Sequence, residues 1–121
     1  MANKKLADEL IDRLIKTGLQ KNLAITLVFI AEHEETQSRT IEDNTRLRQP
    51  EVSIATNELQ RRGWIKKRDI PTEGRGRPVI GYSMEKPIDE VIEEIEKQER
   101  EKIEEIESNI KRIKEIKAKI F

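Results

Sequence analysis

The stretch that decides the fold is Arg61–Met84, RRGWIKKRDIPTEGRGRPVIGYSM. It carries two short apolar runs with a cationic, glycine-rich middle. Trp64–Ile70 and Val79–Met84 are rich in β-branched or aromatic residues, which predicts two strands. The PTEGRGRP between them has turn chemistry, because proline fixes φ and glycine permits positive φ. The two runs therefore read as a hairpin with arginines at its tip. Lys66, Lys67 and Arg68 precede the tip, and Arg75 and Arg77 lie on it.

Upstream of the hairpin the periodicity is helical. Leu6, Leu10 and Leu14 recur every fourth residue with Ile11 and Ile15 beside them, one apolar stripe that Gly18 is placed to terminate. The following segment, KNLAITLVFIAEHEE, is apolar around most of its circumference and predicts the most buried helix. Ile41 and Leu47 are isolated anchors in a polar stretch, consistent with a short helix over Ser38–Asn44 and a turn. Pro50 suits the first turn of the next helix, where its missing N–H costs nothing, and Gly63 suits its end. Helix, helix, short helix, helix and hairpin, in that order, spell a winged helix-turn-helix domain.

From Pro87 on there is no glycine and no further proline. About thirty-five residues at ~1.5 Å each give a helix of roughly 50 Å. Isoleucines at 88, 92, 95, 103, 106, 110, 113, 116 and 120 are mostly three or four apart, which describes a coiled-coil seam. The eleven-residue step from Ile92 to Ile103 is the spacing of a stutter, so a weak point is expected near Glu99 and Lys102. The fold class is thus mainly α with a small β-hairpin (α+β): a winged helix-turn-helix domain over 1–86, then a long coiled-coil helix over 87–121. Ile92, Ile95, Ile103, Ile106, Ile110, Ile113 and Ile120 are the expected dimerisation residues, because so much apolar surface is costly to leave wet.

The charges are abundant and unevenly placed. The 121 residues sum to a formal net charge of zero, but residues 1–86 hold sixteen Lys/Arg against thirteen Asp/Glu, and 87–121 hold eight against eleven. A basic front half bears on partner choice more than the whole-chain sum does. On the helix expected over 49–62, Val52, Ala55 and Leu59 share one face, with Thr56 at its edge. The opposite face carries Pro50, Ile54, Asn57 and Arg61, flanked by Ser53 and Gln60. Asparagine can pair with adenine, arginine with guanine or phosphate, and an aliphatic group can touch a thymine methyl. The bland alternative is a solvated helix face, and for the wing a charged hairpin that discourages edge-to-edge aggregation. RGRP, Arg75–Pro78, is also the core of the AT-hook, a minor-groove motif. The expected DNA-contacting set is Arg48, Gln49, Ser53, Ile54, Asn57, Arg61, Lys66, Arg68, Arg75 and Arg77, with the helix in the major groove and the wing, 70–79, on minor groove or backbone.

Three quoted segments carry a family resemblance: GLQKNLAITLVFI from Gly18, LQRRGWIKKRD from Leu59, and GRPVIGYSM from Gly76. Leu19–Met84 resembles archaeal winged-helix transcriptional regulators in the broad group of TrmB-like and MarR-like proteins. The resemblance implies that the helix ending in Arg-Gly reads the major groove and that the hairpin touches minor groove or backbone. It assigns those roles to Ser53, Asn57, Arg61, Arg75 and Arg77. Two features depart from the pattern. Arg46 stands where the tight turn often has glycine, suggesting a longer turn, and Glu42, Asp43, Glu51 and Glu58 bring negative charge into the DNA-binding unit.

Other classes find little support. With no cysteine there are no disulfides or thiolate metal ligands, and a single histidine, His33, makes a zinc site implausible. The tail carboxylates alternate with lysines as on a solvated helix. The only glycine cluster lies inside the hairpin, not ahead of a helix, so no phosphate loop is expected. Trp64 and Tyr82 read as packing anchors, and His33 as a capping or packing group. No catalytic residue, cofactor or metal is expected, no effector is named by the sequence, and no apolar run would span a bilayer, so a cytoplasmic location is the default expectation. The reading is a sequence-specific double-stranded DNA-binding regulator acting as a homodimer. A winged-helix adaptor that binds other proteins, and an RNA-binding hairpin, remain the alternatives.

Overall fold

A computed structural model describes residues 4–72, 74, 76 and 79–121. Its elements in chain order are α1 (Lys4–Lys16), α2 (Lys21–Ala31), β1 (Thr36–Gln37), α3 (Ser38–Thr45), α4 (Gln49–Arg61), β2 (Ile65–Ile70), β3 (Val79–Met84) and α5 (Ile88–Ile120). The chain separates into two compact units, Met1–Ile88 and Asp89–Phe121. The class is the one expected, mainly helical with a small antiparallel sheet and a long last helix.

In the first unit α2 is the central element. Leu23, Ala24, Thr26, Leu27, Val28 and Ile30 are all buried, which fits its all-round apolar sequence. Around it the core collects Leu14, Leu19, Ile41, Leu47, Val52, Ala55, Leu59, Trp64, Ile65 and Tyr82. Helix α1 is amphipathic as read, but only Leu14 of its stripe is buried, and Leu6 remains 63% exposed. Gly18 ends that helix at φ 97°, a conformation without a Cβ penalty only for glycine.

The sheet holds three strands in the order β1-β3-β2, all antiparallel. Strand β1 is an addition to the expected hairpin: Thr36 faces Tyr82 and Gln37 faces Gly81. The hairpin itself pairs Ile65 with Met84 through to Ile70 with Val79. Trp64 lies just before β2 rather than inside it. It is almost wholly buried, and its backbone carbonyl accepts from Glu85 N–H at 2.9 Å, closing the base of the wing.

The turn between α3 and α4 is tight. Arg46 takes the left-handed conformation at φ 64°, and helix α4 begins three residues later with Pro50 in its first turn. The expectation of a lengthened turn is therefore corrected: an arginine accepts the strained conformation that glycine often supplies. The neighbouring Leu47 is buried, and its N–H donates to Thr45 Oγ1 at 3.3 Å, so the surroundings hold the turn closed.

In the second unit α5 is a single helix of 33 residues with acidic groups in its first turn and lysines in its last, complementary to the helix dipole. It runs unbroken past the Ile95–Ile103 step. There Lys102 Nζ donates to Glu99 at 2.8 Å, so the two charged groups near the stutter satisfy each other.

Candidate nucleic-acid interface

Helix α4 divides its faces as its sequence requires. Val52, Ala55, Thr56 and Leu59 are buried, and the Thr56 hydroxyl is satisfied by donating to Val52 O at 2.9 Å. Gln49, Pro50, Ser53, Ile54, Asn57 and Arg61 are all exposed on the other side. Ile54 is 68% exposed, so it packs little against the described residues. It is the one large aliphatic side chain among the polar groups exposed on this face of α4. The side chains of Gln49, Ser53 and Asn57 make no hydrogen bond with the described residues, leaving their amide and hydroxyl groups available to a ligand.

The N-terminus of α4 is fastened by Glu51. Its carboxylate accepts the Arg48 N–H at 2.9 Å and, through its other oxygen, Asn22 Nδ2 at 3.3 Å. The first bond satisfies a helix-end donor, and the second ties α4 to α2. The Arg48 backbone bond first, then Asn22, holds the Glu51 carboxyl below its ordinary range. The Arg48 side chain stays largely in solvent, with its guanidinium only 3.9 Å from Glu51 at the nearest.

At the other end of α4 two arginines share one carboxylate. Arg61 donates to Glu58 through Nε at 2.8 Å and through its terminal nitrogen, while Arg62 Nε donates to Glu58 at 3.1 Å. These bonds, Arg61's first, lower Glu58 to about 2. Arg62 also lies over the Trp64 ring, 5.0 Å from its centroid, so it has two attachments where Arg61 has one.

On the wing, Lys66 and Arg68 point to the same side of β2, with Lys67 to the other. Lys66 makes no ion pair with the described residues. Arg68 is held in a fork by Glu35, at 2.6 and 2.8 Å, across 33 positions of sequence. The arginine's hydrogen bonds push Glu35 down, and those from Glu35 push Arg68 up. Gly81 makes room for this pair: a Cβ there would lie 2.9 Å from Glu35 Cδ and 2.6 Å from Ile70 Cδ1. Arg75 and Arg77, the expected wing-tip contacts, lie outside the described residues.

The structure thus brings the expected cations Arg61 and Arg68 together with carboxylates. Glu58 is one of the acidic residues expected in the DNA-binding unit, while Glu35 is not among them. The i,i+3 and i,i+4 spacings of Glu58 to Arg61 and Arg62 were a usable signal. Nothing local announces Glu35. His33 packs as expected, its ring stacked on Phe29 at 4.3 Å and Nδ1 within 2.6 Å of Phe29 O. Among the described residues no group of three or more His, Asp or Glu is placed to hold a metal ion, and no helix is long and apolar enough to cross a membrane. Of the expected dimerisation residues Ile95 is buried, while Ile92, Ile103, Ile106, Ile110, Ile113 and Ile120 are exposed.

Comparison with known proteins finds one family model and several similar folds. A family model described as MarR family matches residues 17–76, the span from the end of α1 to the wing tip. The fold is similar to that of YusO from Bacillus subtilis, at 18% identity with a TM-score of 0.51, covering 97% of this chain and 84% of that one. It is also similar to the transcriptional regulator PA4135, at 16% identity and TM-score 0.55, covering 98% and 91%. A third similar structure is RV1404 from Mycobacterium tuberculosis, at 15% and 0.54, covering 87% and 72%. At these identities the structures show a shared fold. No curated protein matches the chain. The MarR side of the expected resemblance is supported; its TrmB-like and archaeal side is not.

Proposed function

We propose that this chain is a MarR-like, sequence-specific double-stranded DNA-binding transcriptional regulator, without catalytic activity, that acts as a homodimer. The observation that carries the reading is the exposed α4 face, Gln49, Ser53, Ile54, Asn57 and Arg61, on the helix of a winged fold whose sequence matches the MarR family over residues 17–76. In the proposed mode α4 lies in the major groove. Asn57 takes an adenine edge, Ile54 a thymine methyl, and Arg61 a guanine or a phosphate. Arg48 and Gln49 meet the backbone at the start of the helix. Lys66, with Arg75 and Arg77 of the wing tip, follows the adjacent backbone or minor groove.

Arg61 reaches DNA by releasing Glu58. Arg62 remains on that carboxylate, so no charge is stranded when Arg61 leaves. The Ile103–Ile120 stretch of α5 pairs two chains and sets two reading helices on half-sites about one turn, ~34 Å, apart.

The acidic α3 residues favour a protein-binding adaptor as the second reading, and salt separates the two. Fluorescence anisotropy of a labelled random-sequence duplex should show log affinity falling linearly with log salt, by about 0.9 per phosphate contacted. Replacing Arg75 and Arg77 by alanine should weaken binding to all sequences alike and flatten that slope. Asn57→Ala should instead relax preference at one base position by ~1–3 kcal/mol. Duplex binding that is absent at low salt, or indifferent to salt, would transfer the protein to the adaptor class.

A further inference from the structure

The pairing surface of α5 has a direction written into it. From Glu101 to the C-terminus every residue is exposed, and within that span Ile103, Ile106, Ile110, Ile113, Ile116 and Ile120 keep a three-four spacing. The charges on the same span are segregated. Residues 101–110 carry four carboxylates and one lysine, and residues 111–120 carry five cations and one carboxylate. The minority charge in each half is already neutralised within the helix, Lys102 by Glu99 and Glu115 by Arg112. The helix dipole does not account for this pattern, because its influence is confined to the first and last turns and Glu101–Glu107 lie in the middle of a 33-residue helix.

We infer that the occupant of this surface is the same stretch of a second copy, lying antiparallel. The inference rests on the homodimer of the proposed function and adds its direction. A parallel pair would set basic half against basic half and acidic against acidic, whereas an antiparallel pair sets each against its complement. The apolar spacing accepts the antiparallel register, with Ile106 lying against the aliphatic stem of the partner's Lys117. Ile103 meets the partner's Ile120, and Ile110 meets the partner's Ile113. In that register Glu107 flanks the seam beside the partner's Lys114, and symmetry makes the pair twice. Lys114 forms no ion pair with the described residues of its own chain, so it comes to the contact uncommitted.

The absence of cysteine makes the test clean, because single introduced thiols are the only ones present. The full-length variants Glu101→Cys and Phe121→Cys are labelled with pyrene, and mass is measured by analytical ultracentrifugation. Antiparallel pairing brings residue 101 of one chain to residue 121 of the other. Excimer emission is expected from the mixed pair and from neither variant alone. Excimer emission from Phe121→Cys alone, in a dimer, would overturn the direction while leaving the dimer standing. A monomer at all concentrations would remove the dimer and the direction with it. A charge exchange supplies a second readout. Glu107→Lys and Lys114→Glu should each raise the dimer dissociation constant by roughly tenfold, two exposed attractive pairs becoming repulsive. The double exchange should restore it. In a parallel pair these two positions do not face each other, and the double variant would stay as weak as the singles.

Discussion

Replacing Glu58 by glutamine should make the protein bind DNA more tightly, and by an amount that depends on salt. Glu58 carries one negative charge beside two arginines at the end of α4, accepting from Arg61 at 2.8 Å and from Arg62 at 3.1 Å. The pKa is lowered to about 2, so the carboxylate stays ionised under any ordinary binding condition. To DNA, the cluster therefore presents one net positive charge per chain. Glutamine is near in shape, still accepts a hydrogen bond, and raises the net charge to two. A dimer gains two. Each phosphate neutralised contributes about 0.9 to the slope of log affinity against log salt, so the variant's slope should steepen by up to about 1.8. Between about 50 and 200 mM salt the ratio of variant to parent affinity should then change by about twelvefold, the variant's advantage being larger at low salt. Anisotropy titrations of a random-sequence duplex read this directly. Glu9→Gln on α1, which likewise removes one exposed carboxylate paired with an arginine, should leave affinity nearly unaltered. Adding Arg61→Ala to the Glu58→Gln variant should cancel the gain. A Glu58→Gln protein whose affinity and slope equal the parent's would refute the placement of this helix end against phosphate.

Two further outcomes follow from the ion pairs. Glu35, Glu51 and Glu58 all have folded-state pKa values below the ordinary 4.5, so their stabilising contribution is present above about that pH and is lost as pH falls toward the folded values, about 2 for Glu58. Thermal melts should show the melting temperature falling between pH 5 and pH 2.5, and Glu58→Gln should fall less than the parent; equal falls would mean the carboxylate is not held as described. Gly81→Ala should keep the fold, because the crowding atoms, Ile70 Cδ1 and Glu35 Cδ, end flexible side chains, but it should push Glu35 off Arg68. Its effect on melting temperature should then be strongly non-additive with Arg68→Ala, whereas additive effects would show that the pair survives the added methyl.

The elements were legible because apolar phase dictates them. The all-round apolar run of α2, the Val52–Ala55–Leu59 face of α4 and the β-branched arms of the hairpin each have one inexpensive way to be buried. Strand β1 was not legible: two residues, Thr36 and Gln37, have no period to display, and they are a strand only because β3 offers Tyr82 and Gly81 as partners. The tight turn at Arg46 was misjudged for a related reason, since the cost of a left-handed arginine is local while its compensation, the burial of Ile41 and Leu47 on either side, is tertiary. The same limit applies at the candidate site. Cations can be counted in a sequence, but their partners cannot when pairing depends on register across 33 residues, as for Arg68 and Glu35. Counting alone therefore overstated the free positive charge. With Arg61 and Arg68 both engaged, affinity in the proposed complex rests more on Lys66, Arg48 and the wing-tip arginines. In that proposed complex, discrimination between sequences rests more on the neutral groups of Ile54 and Asn57. A surface built this way neutralises its own non-specific attraction and leaves base contacts a larger share of the binding, which is how specificity is gained when phosphate contacts carry no sequence information.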